Sequence, residues 1–334
     1  MSQTADVAAL RGQLAGRIMG FMVSQAVYVA AKLGIADLLA DHERAAADLA
    51  GEAGVHPDAL YRLLRLLAGH GIFVEHADGN FANSAESELL RDAPGSFRDF
   101  ALVFGEDFYP ALGQTLQAVT TGEPVFETVF GSSYDDYLAA NREASARFNR
   151  FMAGDKSAIA DLLAAESWRG DETVVDVGGG NGALLQALLE RRPNLRGIVF
   201  DLPHVVREAE ERIRAAGLAD RCEVVAGSFF DAVPQARDVY VLSHILHGLD
   251  DDRAREVLQR VRHAIPDEGR LLIVEGVVSA PNEPGLKLLD LLMLILGGRE
   301  RTEDEWQALL PSGGFQLTGI RPGDWSKILE ARPS

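Results

Sequence analysis

Two rhythms of apolar and polar positions divide the chain. Up to about residue 165 the apolar residues recur at helical spacing. From about 170, short runs of alternating type take over. Residues 7–40 read as helix, with few breakers and Gly34 near a turn. The part around Met19, Phe21, Met22, Val23, Val27 and Tyr28 is apolar on most sides, so it needs cover all round. Either its own chain or a second copy supplies that cover, and a homodimer is the expectation. Ala45–Ala50 reads as a short helix and Gly54–Val55–His56–Pro57 as a turn. Asp58–His70 reads as an amphipathic helix carrying Leu60, Leu63, Leu64, Leu66 and Leu67. Ile72–Glu75 and Asn80–Ala82 then flank Asp78–Gly79 as a hairpin. Helix, turn, helix and hairpin make a winged-helix unit.

Residues 100–165 stay helical and are rich in aromatics, among them Phe104, Phe108, Phe126, Phe148 and Phe151. These serve either as core or as the wall of an apolar pocket. Beyond 170, strand-like and helical runs alternate: Thr173–Val177, Ala183–Glu190, Gly197–Asp201, His204–Ala216, Cys222–Ala226, Asp238–Ser243, Asp251–Ala264 and Arg270–Glu275. That alternation predicts a parallel sheet covered by helices on both faces. Phe315–Ile320 and Trp325–Glu330, around Arg321–Pro322–Gly323–Asp324, read as a closing antiparallel pair. The expected organisation is α/β. A helical winged-helix dimerisation domain spans 1–100, a helical connector and pocket wall 101–168, and a Rossmann-like domain 169–334.

Charge narrows the partners. The net charge over 334 residues is -18, and residues 1–100 carry 8 Lys and Arg against 13 Asp and Glu. Proteins that bind duplex DNA draw their affinity from cations on phosphates, so the winged helix reads as structural and nucleic acid as no partner. The one cysteine, Cys222, allows neither an internal disulfide nor a thiolate metal site. No basic region with an apolar core and a cleavage site opens the chain. The longest apolar stretch, Ile18–Ala31, reads as too short to span a bilayer. A cytoplasmic protein without a membrane partner is expected.

Ligands of an open parallel sheet bind beyond the carboxyl ends of its strands, and all five predicted strands end in polar groups. The first ends at Asp176 and the run Gly178–Gly179–Gly180–Asn181–Gly182. Gly178, Gly180 and Ala183 fit the loose dinucleotide pattern. Asp176, two residues earlier, suits the ammonium of S-adenosylmethionine (SAM) and would be a poor neighbour for a pyrophosphate. Asp201 lies 23 residues after Gly178, the spacing of an acid that binds ribose hydroxyls; it also reads as a helix cap. Ser228–Phe229 follows the third strand and can flank an adenine ring. Ser243, His244 and His247 follow the fourth, and Glu275 ends the fifth. A carboxylate on His Nδ1 fixes the tautomer and makes Nε2 a base near neutral pH. His247 is therefore the candidate base and His244 its rival. Thr302 and Glu305 make a capping box, with Glu300 just before it as a second carboxylate or an exposed one.

Taken in order, Val175–Gly182, Asp201–Leu202–Pro203, Ile245–Leu246–His247, Glu275, Gly297–Thr302 and Gly314–Phe315 resemble the small-molecule O-methyltransferases of the plant caffeic acid type. The resemblance is strongest to their bacterial branch acting on aromatic natural products such as phenazines and anthracyclines. It covers nearly the whole chain. It implies an intertwined dimer, and SAM in contact with Gly178, Asp201, Ser228, Phe229 and Ser243, beside the Asp176 and Gly180 read from the loop itself. It implies catalysis by His247 flanked by Glu275 and Glu300, without metal, on an aromatic acceptor lined by Phe148, Met152, Asp290 and Met293. Three positions depart from the family. Gly248 stands where Asp often follows the histidine, Leu249 where an aromatic follows, and Ser228 where Asp often meets the adenine. Some relatives bind SAM yet hydroxylate, decarboxylate or run pericyclic reactions, which is the alternative function.

Overall fold

The computed structural model describes residues 7–334 except 94, 153, 155, 279 and 324. The chain forms two compact units. One holds Met1–Pro110 and Asn141–Phe151, the other Ala111–Ala140 and Met152–Ser334.

In the first unit, residues Val7–Lys32 form one helix of 26 residues, longer than its apolar run because no breaker interrupts its start. By length and composition alone it is long and apolar enough to cross a membrane, so the length argument from the sequence does not hold. Only Ala26, Ala30 and Ala31 of this helix are buried, whereas Leu10, Leu14, Ile18, Met19, Phe21 and Met22 stand open to solvent. Its own chain therefore leaves the first two thirds of the helix uncovered. After the short helix Ile35–Leu38, Ala46–Ala53 and Pro57–Gly69 form two further helices. Pro57 opens the second at a position where a missing N–H costs nothing, and His56 Nδ1 accepts from the Ala59 amide. Leu60, Leu64 and Leu67 recur on one face and are buried. Strands β2 (Phe73–Glu75) and β3 (Asn80–Asn83) form the expected hairpin, with Val74 opposite Ala82. A two-residue strand β1 (Arg44–Ala45), not foreseen from the sequence, adds to the other edge of β3.

The second unit carries a seven-stranded sheet. Strands β4 (Thr173–Val177), β5 (Arg196–Asp201), β6 (Cys222–Ala226), β7 (Val239–Ser243) and β8 (Arg270–Glu275) run parallel in the order β6-β5-β4-β7-β8. Strands β9 (Phe315–Arg321) and β10 (Lys327–Pro333) are antiparallel, with β10 slotted between β8 and β9. The connecting turn was expected to include Asp324, which lies outside the described residues. Strand β8 is buried at all six positions, as a strand covered on both faces must be. Apolar residues pack on each side of the sheet, Trp306, Val257 and Leu310 on one, Leu185, Leu189 and Ile213 on the other. Chain order reverses about β4, between β5 and β7. This is the switch point beside which open sheets of this kind leave a crevice. Cys222 opens β6 as a buried residue, and burial pushes its thiol up to about 12. It is an inert part of the core.

Candidate active site

The glycine loop after β4 is shaped by close backbone approach. Gly178, Gly180 and Gly182 take φ of 72°, 58° and 76°, a region that side chains disfavour. A methyl group on Gly178 would overlap the Ile245 side chain. The amides of Gly178 and Gly179 donate to the Phe200 carbonyl at 2.8 and 3.2 Å, tying the loop to β5. The Gly180 amide donates to Asp201 Oδ2 at 2.7 Å, and the Leu202 amide to Oδ1 at 2.6 Å. Asp201 is thus fixed by two backbone donors while each oxygen retains a lone pair for a diol. Burial raises its pKa, and the two amides act against that rise.

Asp176 is 2 % exposed, and among the described residues its Oδ2 lacks a hydrogen-bond partner. Burial, followed by the Asp201 carboxylate, carries its pKa up to about 7, while the Lys156 ammonium works against them. A buried carboxylate with an orphaned oxygen is matched by a cationic ligand group. Ser228 and Phe229 follow β6 as expected. Ser228 Oγ accepts from the Phe230 amide at 3.2 Å, and Phe229 lies half-buried with its ring 4.8 Å from that of Phe230. Ser243 Oγ lies 3.3 Å from His244 Nδ1.

The short turn Leu246–Gly248 presents His247. Its Nδ1 lies 2.7 Å from Glu300 Oε1 and 3.7 Å from Glu275 Oε2. Glu300, which the sequence left as either buried or exposed, is 3 % exposed and is the hydrogen-bond partner of the ring. Glu275 supplies charge at the longer distance and organises the turn. Its Oε1 accepts from the Leu246 and His247 amides at 2.8 and 3.2 Å. Burial opposes a charge on His247, but the Glu275 and Glu300 carboxylates outweigh it and carry the imidazole up to about 9, with the Arg301 cation acting against them. Among the described residues no hydrogen bond engages Nε2.

His244 is differently placed. It takes φ of 55° at the end of β7, its Nε2 lies 2.9 Å from Ser326 Oγ and its Nδ1 faces Ser243. Burial, with the neighbouring His247 and Lys156 cations, pushes it down to about 3. Both ring nitrogens are engaged with hydroxyls, which leaves His247 as the ring with an open nitrogen.

The turn carrying His247 is held from a segment some fifty residues later. The Arg299 amide donates to the His247 carbonyl at 2.8 Å. Arg301 donates from Nη1 to the Leu246 carbonyl at 2.8 Å and from Nη2 to the Leu249 carbonyl at 2.9 Å. A methyl group on Gly298 would overlap the His247 carbonyl, whereas one on Gly248 would meet nothing within 4 Å. Gly298 and Arg301 lay unremarked within a quoted motif, and Lys156 was not singled out; no periodicity marks any of them. Of the four expected acceptor contacts, Asp290 Oδ1 accepts from the Glu300 amide at 3.0 Å, so it bears on the catalytic cluster. Met293 is buried on the same helix, Lys287–Leu296. Met152 belongs to the second unit, and Phe148 to the first, where its ring lies 6.0 Å from that of Phe151.

Comparison with known proteins agrees with this geometry. Residues 110–316 match the O-methyltransferase domain and residues 17–92 the O-methyltransferase dimerisation domain. The latter supports a homodimer. The chain is 44 % identical to phenazine O-methyltransferase PhzM of Lysobacter antibioticus, over 95 % of this chain and 94 % of that protein. It is 34 % identical to phenazine-1-carboxylate N-methyltransferase of Pseudomonas aeruginosa, over 94 % and 95 %. Among solved structures it superposes with TM-score 0.83 on NcsB1, an O-methyltransferase of neocarzinostatin biosynthesis in complex with SAM and 2-hydroxy-5-methyl naphthoic acid. The identity there is 34 %, and the alignment covers 93 % of this chain and 96 % of that one. The chain belongs to the O-methyltransferase family with a dimerisation domain, and it is a SAM-dependent methyltransferase.

Proposed function

We propose that this enzyme methylates a hydroxyl group on an aromatic natural product, with His247 as the base. The observation that carries the reading is the 2.7 Å contact between His247 Nδ1 and Glu300. It fixes the proton on Nδ1 and turns the Nε2 lone pair toward an acceptor proton. When bound, SAM supplies an electrophilic methyl on its sulfonium. Asp176 would meet its ammonium, Asp201 its ribose, and Ser228, Phe229 and Ser243 the rest of the nucleoside side. The imidazolium formed when His247 takes the proton is stabilised by Glu300 in contact and by Glu275 behind it. Ligand atoms of His247, Glu275 and Glu300 lie within 4.8 Å of one another, a set that could also take a divalent cation. Here the short hydrogen bond commits Nδ1 to Glu300, and a sulfonium methyl is activated without a Lewis acid.

The Pseudomonas relative is named as an N-methyltransferase of a phenazine, and a pyridine-type ring nitrogen has no proton to remove. A His–Glu pair built to hold a proton favours a hydroxyl acceptor, and likewise favours methyl transfer over chemistry that needs no base. The exposed apolar face of the helix Val7–Lys32 is covered by the same helix of a second copy.

The test is SAM-dependent turnover of a panel of phenolic and phenazine-like compounds, read by mass spectrometry. A gain of one methyl on oxygen is expected. His247→Ala lowers turnover by about 100-fold or more while SAM affinity by calorimetry stays within about twofold. A fully active His247→Ala enzyme, or methylation on nitrogen alone, overturns the proposal.

A further inference from the structure

We propose that Arg301 is a positioning residue for methyl transfer, its guanidinium clamping the carbonyls on either side of His247 to Asp251 and so fixing the imidazole against Glu300. The inference rests on the reading of His247 as the base.

The side chain of Arg301 is 0 % exposed. Nε and Nη2 both donate to Asp251 Oδ1, at 3.0 and 2.8 Å. Nη1 and Nη2 reach the Leu246 and Leu249 carbonyls, and the guanidinium carbon lies 5.3 Å from the centre of the Trp306 ring. One planar group thus bridges three acceptors in fixed directions, which a point-like ammonium cannot do. The turn has little holding it from within. Its own bonds, Gly248 amide to Ile245 carbonyl and Leu249 amide to Leu246 carbonyl, are long at 3.2 and 3.3 Å. Gly248 brings no side chain to orient the ring. Orientation comes instead from outside: Glu275 takes the amides of the turn and Arg301 takes its carbonyls.

Arg301 also has an electrostatic effect on the ring. His247 faces the Glu275 carboxylate from β8, the Glu300 carboxylate and the Arg301 cation from the 298–301 segment, and the His244 ring 5.8 Å away on its own loop. Arg301 opposes the proton that the two carboxylates favour. Lys in its place keeps that opposing charge.

The experiment compares Arg301→Met, Arg301→Lys, Asp251→Asn and His247→Ala. It reads the His247 titration in the ligand-free protein by NMR of labelled histidine, together with kcat and KM for SAM. Arg301→Met is expected to lower kcat by about 100-fold, the cost of a misplaced reacting group. Arg301→Lys is expected to hold the midpoint within a few tenths of a unit yet lose about 10-fold in kcat, because charge survives and the fork does not. Asp251→Asn, at a half-exposed site, costs several-fold in kcat and carries the test with Arg301→Lys if Arg301→Met does not fold. KM for SAM stays within about twofold throughout. Wild-type kcat in Arg301→Lys and Asp251→Asn overturns the inference, as does a folded Arg301→Met with wild-type kcat. An active His247→Ala removes the base reading itself, a separate result.

Discussion

Glu300→Gln separates the two tasks given to Glu300. The substitution keeps the shape and an oxygen facing His247 Nδ1, and it removes the charge. The rise of His247 from 6.5 to about 9 is worth about 3.4 kcal/mol at about 1.36 kcal/mol per pH unit. At an effective dielectric constant of about 20, charges separated as His247 is from Glu300 and from Glu275 attract by about 6 and about 4.5 kcal/mol. Glu300 thus supplies more than half of the attraction, while the burial that opposes it remains. Its loss should lower the midpoint by at least about 1.5 pH units, to about 7.5 or below. A protonated imidazole cannot accept a proton, so the rate climbs through the midpoint and levels off above it. The assay is kcat/KM from pH 6 to 10 with both substrates well below saturation, which reports the free enzyme. The wild type is expected to climb through a midpoint at about pH 9 and the variant through one at about 7.5 or below, each levelling off about one unit higher. The variant plateau lies about 100-fold lower, because a neutral amide stabilises the imidazolium less. At pH 7 about 1 % of wild-type His247 is unprotonated, against about a quarter in the variant, so the deficit narrows by about 25-fold there. A midpoint that stays in place, or moves to higher pH, refutes the reasoning.

Two further outcomes follow from the buried groups and the glycines. The folded pKa of Asp176, about 7, lies above its ordinary 3.8, so its contribution to stability is full below about pH 4 and is lost as pH rises through 7. Asp176→Asn should raise the melting temperature above pH 7, relieving up to about 4 kcal/mol, with a gain that shrinks toward pH 4 and at least about 10-fold weaker SAM binding by calorimetry. Equal melting temperatures at pH 8 count against it. Gly298→Ala pushes on the His247 carbonyl and should cost about 1–3 kcal/mol of stability in denaturant melts along with about 10-fold or more in kcat. Gly248→Ala, facing open space, should stay near wild type in both, and the reverse order would show that the turn is held differently.

The parallel sheet and its polar edges were legible because strand alternation and chain order fix where β4 to β8 end. Asp176, Asp201, Ser228 and His247 could therefore be placed at one edge without coordinates. The division of labour between Glu275 and Glu300 could not. It depends on how the turn Leu246–Gly248 folds back, which Arg299, Arg301 and Gly298 decide through backbone contacts some fifty residues apart. Contacts with carbonyls leave no periodicity, since a carbonyl is present at every residue. The helix Val7–Lys32 misled in a different way. Its apolar surface was plain, yet the helix runs on through residues 7–17, where Gly12 and Gly16 sit among good helix formers such as Ala8, Ala9, Leu10 and Leu14, and its exposure depends on a partner outside the chain. The edge strand Arg44–Ala45 was too short to register as a run.

The dependence of His247 on residues 298–301 has a consequence for biosynthesis of the chain. A ribosome releases the glycine loop, Asp201 and all five parallel strands before Gly298 leaves the exit tunnel, and domains fold as they emerge. The growing polypeptide thus completes its nucleoside-binding edge first, while the histidine turn still lacks the carboxylate, the guanidinium and the amide that orient it. Proton-transfer competence arrives later than the nucleoside-binding edge, once residues 298–301 have emerged and folded back onto the histidine turn.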